Sequence, residues 1–331
     1  MPLMLGLSSV LIVVLTGTLA LAAVYRLDSW PRRRELQFLV LAAPVVALGV
    51  IAGGLHHLSG RVCYLEAPPW DERLGFILPV GMMLTTLGAV ALGTVRMVLM
   101  HRVVIRRGIA ATSRVQRQVD ALAHRMGTKK VRVLLCPLNR PLALTCGVVC
   151  STIVISTWML EHLDDQELHT VLAHELGHVT RRDYLMVWVA TVLRDAFFYV
   201  PTSWIAYRQI QREKELASDD LAVAATHLPL AMASALAKVW HHALGGVTYG
   251  AAQSLVGAGV PIENRIQRLL AYPTASERMP TSGRVLIGMA MAAIVSLIGI
   301  EALTLAQMLA PMGCGPLPVL TALSLWPQGY R

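Results

Sequence analysis

Charge is scarce in this sequence. Asp, Glu, Lys and Arg make up only 15% of its 331 residues, against 55% hydrophobic residues. That balance is too apolar for an ordinary soluble globular protein. Acids are fewer than bases, 20 Asp and Glu to 29 Lys and Arg, giving a formal net charge of +9. Such an excess suits a nucleic-acid binder, but here the arginines cluster beside uncharged spans, as in the positive-inside pattern of membrane proteins. No direct nucleic-acid binding is expected. Cysteine is sparse as well, with five residues, and Cys146-x₃-Cys150 has no second pair with which to build a structural zinc site. Internal repeats are absent, which excludes solenoid and propeller architectures.

The long runs without charge define the organisation. Leu3 to Val24, Leu36 to Leu55 and Leu74 to Val95 each suffice to cross about 30 Å of hydrocarbon. Arg26 and Arg32 to Arg34 follow the first run rather than precede it, so an uncleaved span with its N-terminus outside is expected in place of a signal peptide. After the third run come Arg96, Arg102, Arg106, Arg107, Arg114 and Arg117, which places the following domain in the cytosol. Val285 to Leu309 is a last span. Its Glu301 falls near the far interface, where snorkelling is expected. The expected division is residues 1–100 with three transmembrane helices, 101–283 as a cytosolic-facing domain, 284–310 as a C-terminal transmembrane helix and 311–331 as a short outer tail. Cys63 and Cys314 both fall outside and could pair.

Within the domain, Ser113 to Met126 reads as an amphipathic helix stopped at Gly127. Val131 to Leu135 and Gly147 to Ser156 read as short strands. Pro229 to Leu244 is a helix, and Gly245 to Val260 a Gly-rich linker. Glu263 to Leu270 is a short amphipathic helix with Arg265 and Arg268 on a polar face.

The chemistry lies in Val171-Leu-Ala-His174-Glu175-Leu-Gly-His178-Val179. On a helix, His174 and His178 return to within about 40° of one another, so both imidazoles can hold one Zn²⁺. Glu175, beside the first, can serve as general base. Asp164 as N-cap and Glu167 as its partner form a capping box, and Leu163 and Leu168 a hydrophobic staple, starting this helix about three turns before His178. A His- and Glu-rich surface helix is the bland alternative, but Val171, Leu172, Leu176 and Val179 mark a buried one. Downstream, Glu215 and Asp219 sit at i, i+4. Glu215 is the expected third ligand, and Asp219 the carboxylate that fixes a ligand histidine's tautomer. Two His and one Glu leave a fourth position open, the pattern of a catalytic site.

Tyr184 to Ile205 looks like a further span. A single crossing would separate Glu215 from His174 and His178, however, and Arg194 and Asp195 sit mid-segment at about 2.5–3.5 kcal/mol each on insertion scales. A helical hairpin broken at Pro201 is expected, near 184–205, that dips into the membrane or packs on the other spans.

The paired motifs resemble the gluzincin metallopeptidases and, more closely, the BlaR/MecR-type membrane antirepressors. The resemblance runs from about residue 113 to 272, through Leu142-Ala143-Leu144-Thr145-Cys146-Gly147, Ile153 to Ser156, the H-E-x-x-H helix into Arg181-Arg182-Asp183, the Glu215/Asp219 helix and Glu263 to Leu270. It implies an α-helical integral membrane protein with a small α+β gluzincin-like zinc peptidase domain on the cytosolic side, holding one Zn²⁺ per chain. It also implies that Leu142 to Gly147 is the sheet edge against which an extended peptide pairs; an ordinary hairpin strand is the alternative. The implied substrate is a protein, such as a cytosolic DNA-binding repressor, and the implied location the plasma membrane, multi-pass, with both termini outside. The β-lactam sensor domain of those receptors is not expected here. An HtpX-like quality-control protease and a non-catalytic receptor or scaffold are the competing readings.

Overall fold

A computed structural model of the protein describes residues 11–12, 14–20, 38, 40–48, 69–147, 150–245, 260–271 and 292–302. Cys63, Cys314, His56-His57, the outer tail and most of the Gly-rich linker lie outside the described residues, as do parts of the first two and the last expected spans.

Helix α1, Pro69–Arg107, has 39 residues and so a length of about 58 Å, well beyond a bilayer core of about 30 Å. It contains the expected third span but continues through the arginine run, because nothing before Gly108 breaks it. Arg106 and Arg107 occupy its last turn, where they complement the helix dipole. Gly108 ends it where Leu134 presses close: a Cβ there would lie 2.8 Å from Leu134 Cδ1. Among the described residues, one helical stretch, Val80–Arg107, is long and apolar enough to cross a membrane.

The chain then builds a four-stranded sheet. Its strands are β1 (Ile109–Ala110), β2 (Arg132–Cys136), β3 (Ala143–Cys146) and β4 (Thr152–Ser156), in the order β1-β2-β4-β3. β2 and β4 are parallel, and the two outer pairings are antiparallel. β4 is buried along its whole length, and β3 is an edge strand. The strand expected from Gly147 starts later, at Thr152. Gly147 takes φ +96°, and a Cβ on it would collide with the Cys150 carbonyl, so Gly147 itself is turned rather than extended.

Helices α2 (Ser113–Arg125), α3 (Thr157–His162) and α4 (Asp165–Arg181) close over the sheet. Val119 and Leu122 of α2, Ile153 and Ile155 of β4, Trp158 of α3 and Leu172 and Leu176 of α4 share one core. α2 stops before Gly127, at φ +61°, as its sequence implies. The start of α4 follows the sequence closely. Asp164 accepts the backbone N–H groups of Gln166 and Glu167, while Glu167 Oε2 accepts that of Asp164. Glu167 also accepts Ser234 Oγ and Lys238 Nζ, each at 2.6 Å. The cap therefore also anchors the helix that carries those two residues. Asp164→Ala leaves two helix donors unmet and is expected to lower unfolding stability by about 1–2 kcal/mol, read as a shift in denaturant midpoint in detergent.

From Arg182, in the left-handed region at φ 54°, the chain reverses into α5 (Asp183–Ala196), breaks, and returns as α6 (Pro201–Thr226), with Pro201 in its first turn. This is the expected hairpin. It packs on the other apolar helices: Val189, Val192, Leu193, Phe197 and Ile210 share a second core with Val40, Leu41 and Val45, with Ala89 of α1, and with Ile294 and Leu297. A Cβ on Gly93 of α1 would sit 3.3 Å from Trp188 Nε1. Arg194 pairs with Asp195 at 2.6 Å, and its guanidinium lies 4.8 Å from the Trp204 ring and 4.3 Å from that of Tyr207. The pair is thus held inside the hairpin by charge and by aromatic faces.

Glu301 corrects the sequence expectation. It does not snorkel; it is buried, and its Oε1 accepts Thr86 Oγ1 at 2.8 Å. Neighbouring α1 offers the donor. Helices α7 (Pro229–Gly245) and α8 (Ile262–Leu270) complete the described fold. Val223, Met232 and Leu269 join them to the end of α6.

Candidate metal centre

The capped start of α4 sets which residues face α6. His174 is buried and His178 partly so, with their Nε2 atoms 3.2 Å apart and their rings edge to face. Glu215 of α6 meets them. Its Oε2 lies 3.6 Å from His174 Nε2, and its Oε1 3.9 Å from His178 Nε2. Gly177 permits that approach, since a Cβ there would stand 3.2 Å from Ser218 Oγ and 3.4 Å from Ser218 Cα. Any larger side chain would push the two helices apart.

Each histidine has an acid behind it. His174 Nδ1 is 2.9 Å from Asp219 Oδ1. His178 Nδ1 is 2.8 Å from Asp183 Oδ2 and 2.9 Å from Ser218 Oγ. In the neutral imidazoles a metal needs, a carboxylate beside each Nδ1 favours the proton there and leaves Nε2 to face Glu215. The acids are in turn held by arginines. Arg265 of α8 donates from Nε and Nη2 to the two Asp219 oxygens at 2.8 and 2.7 Å, and its Nη1 lies 3.3 Å from Glu215 Oε2. Arg181 Nη2 is 3.6 Å from Asp183 Oδ1, and its Nη1 donates to the Lys214 carbonyl.

Charge shapes these groups strongly. Burial alone would raise the Asp219 carboxyl, but the Arg265 guanidinium and His174 outweigh it and hold the group at about 2. Burial would likewise raise Glu215, yet His174, His178, Lys214 and Arg265 bring it well below the usual carboxylate range. For His174 burial works downward, and the Asp219 and Glu215 carboxylates overcome it, raising the imidazole to about 9. The two carboxylates therefore favour positive charge at the position between them and His174.

His174, His178 and Glu215 form the group among the described residues that could hold a metal ion, with ligand atoms all within 4.8 Å of one another. A tetrahedral zinc with bonds of about 2.0–2.1 Å separates its ligand atoms by about 3.3 Å. The 3.2 Å between the two Nε2 atoms matches this, and the carboxylate stands a few tenths of an ångström further out. Two nitrogens and one oxygen also suit zinc by chemistry.

Glu175, on the same helix, is buried. Its Oε2 accepts Thr145 Oγ1 at 2.8 Å. Thr145 sits on the edge strand β3, so the expected peptide-pairing stretch Leu142 to Gly147 and the expected base are in contact through it. Leu142 and Gly147 flank β3, which holds Ala143, Leu144, Thr145 and Cys146.

Three site features escape a reading of the sequence. Asp183 stands five residues beyond His178, past a left-handed turn that no helical spacing foretells. Ser218 lies between the two residues of the Glu215/Asp219 pair. Arg265 was expected on a polar face and is instead buried with Ile262 and Leu269. The signal was present, because Arg265 falls three residues after Ile262 and four before Leu269, on the apolar stripe. Arg268 alone keeps to the partly open side, bonded to Asp220 and to the Leu216 carbonyl. Tyr207 accepts Gln211 Nε2, and His227 caps α6 at φ 59°. His242 packs its ring against Trp158.

The chain is similar to several known proteins. The chain is 29% identical over 163 residues to the protease HtpX homolog of Acidiphilium cryptum, covering 39% of this chain and 57% of that protein. It is 34% identical over 98 residues to the protease HtpX homolog of Methanopyrus kandleri, covering 28% of this chain and 31% of that one. The matched stretches thus span between about a third and somewhat over half of these relatives' length. The crystal structure of S. mikatae Ste24p aligns with a TM-score of 0.39 at 13% identity, over 77% of this chain and 81% of that one. The family described as BlaR1 peptidase M56 matches residues 64–269, well over half of the chain and the whole of the site. Peptidases of this kind are zinc metalloproteases. The edge strand, the two-histidine helix, Glu215 and the Arg265 helix all fall within that match, and the chain belongs to the BlaR1 peptidase M56 family.

Proposed function

We propose that the protein is a membrane-embedded zinc endopeptidase that cleaves a protein substrate on the cytosolic side, in regulatory proteolysis of a cytosolic repressor. The observation that carries this reading is the meeting of His174, His178 and Glu215 with Glu175 beside an open strand edge. His174, His178 and Glu215 are the ligands, Glu175 the general base, Asp219 and Asp183 the acids that orient the imidazoles, and Leu142 to Gly147 the edge on which an extended peptide lies. Zinc, when bound, supplies Lewis acidity that polarises a carbonyl and acidifies a water molecule. Glu175 takes the proton of the attacking water and returns it to the leaving amine. The β3 edge holds the peptide extended by main-chain hydrogen bonds.

The cytosolic placement rests on the arginines at the end of α1, all exposed, under the positive-inside rule. Four spans, the hairpin packed among them and both termini outside remain part of the proposal. A second reading, turnover of damaged membrane proteins, is favoured by the similarity to proteases named HtpX. The α5–α6 hairpin favours the first, because its two arms are joined by a short break and contribute to one apolar core.

Comparison of new protein N-termini in cells expressing wild type and Glu175→Ala decides between them. One or two termini in a cytosolic DNA-binding protein support the repressor reading. Termini spread over many membrane proteins support turnover instead. Identical profiles under conditions that load the protein with zinc would remove the peptidase reading.

A further inference from the structure

We infer that Thr145 is a positioning residue for the general base, fixing the Glu175 carboxylate from the strand against which the peptide pairs. The inference rests on the peptidase reading above. Glu175 projects from α4, and nothing in a helix by itself selects one rotamer for a glutamate beyond its first torsion. Thr145 Oγ1 reaches across from β3 to Glu175 Oε2 at 2.8 Å and to the Glu175 backbone carbonyl at 3.1 Å. One hydroxyl proton serves two acceptors, and the charged, nearer one takes it. The carboxylate is thereby held by Oε2, leaving Oε1 to receive a proton.

Threonine suits this task better than serine. Its branched Cβ restricts the first torsion, and its backbone is locked by pairing of Thr145 with Ile153 in fully buried β4. The base is therefore referenced to the strand as well as to its own helix. A peptide paired along β3 and the base that acts on it share one rigid frame, which is the condition for holding reacting groups in register.

The test compares wild type, Thr145→Val, Thr145→Ser and Glu175→Gln as full chains in detergent, assayed on one unfolded protein substrate. Valine keeps the shape, favours a strand and lacks the hydroxyl. The expected result is a kcat lowered by about 10- to 100-fold in Thr145→Val, with KM within about twofold, zinc content and melting temperature held, and most of the rate restored in Thr145→Ser. An infrared difference spectrum between each form and its Glu175→Gln counterpart reads the carboxylate stretch independently of turnover. It should shift in Thr145→Val and return in Thr145→Ser. Wild-type kcat and an unshifted stretch in Thr145→Val, with Glu175→Gln inactive, would overturn the inference and leave the peptidase reading standing. Full activity in Glu175→Gln would overturn both. Loss of zinc together with rate in both Thr145 variants would assign the residue a structural role and overturn the inference as well.

Discussion

Glu175→Gln is expected to lower kcat by about 10²–10⁴-fold, the usual worth of a positioned acid–base group, with one zinc still bound per chain. Glutamine has nearly the same shape as glutamate, and its amide oxygen can still accept the Thr145 hydroxyl. The three ligand side chains, with Asp219, Asp183 and Ser218 behind them, are untouched. What disappears is the capacity to take a proton. His178→Ala separates the two roles by contrast. It removes an Nε2 from the ligand set and leaves Asp183, buried at 3% exposure, without its imidazole, so metal and rate should fall together. Hydrolysis rates on a quenched peptide, alongside zinc by atomic emission, distinguish these outcomes. A Glu175→Gln protein that turns over within threefold of wild type would mean that the base is another group.

Arg265→Leu is expected to destabilise the folded chain by about 3–5 kcal/mol near neutral pH, the range for breaking a buried ion pair from one side. Arg265 and Asp219 are 4% and 1% exposed, so little solvent screens what is left. The sign with pH follows from Asp219, whose folded carboxyl stays near 2 against an ordinary 3.8. A depressed carboxylate adds stability above its unfolded value and loses it as pH falls through the folded one. The gap between wild type and Arg265→Leu should therefore be full above about pH 5 and shrink below about pH 4. Denaturation in detergent at several pH values measures it. In a double-mutant cycle, Asp219→Asn should cost far less in the Arg265→Leu background than alone. An additive cycle would show that the pair contributes through packing only.

How much of this was legible beforehand varies with the kind of interaction. Local chemistry read well. The Asp164 and Glu167 cap, the stop at Gly127 and the break at Pro201 each depend on a few adjacent residues. The convergence of Glu215 on the two histidines was legible because one metal cannot be shared across a membrane, which forces a hairpin. Contacts between distant segments read poorly. Arg265 and Arg268 are both arginines on a short amphipathic helix; the spacing from Ile262 and Leu269 puts Arg265 on the buried stripe, but the Asp219 partner that makes burial tolerable lies on another helix. Glu301 was assigned to an interface by depth, whereas Thr86 on a neighbouring helix captures it. The start of β4 was misplaced because Gly147, able to turn or to extend, gives no preference until its neighbours are fixed.

The hairpin carries one more consequence. His178 lies in the last turn of α4 and Glu215 well along α6, so the whole of α5 and its turn is chain between two of the proposed ligands. A bound metal would then act as a cross-link that closes this chain into a ring, and such a closure removes freedom chiefly from the unfolded ensemble. Its loss should be felt both in the core that α4 shares with the sheet and in the apolar layer to which α5 and α6 contribute. Chelation would thus release the tie between α4 and α6, the second of which contributes to both cores.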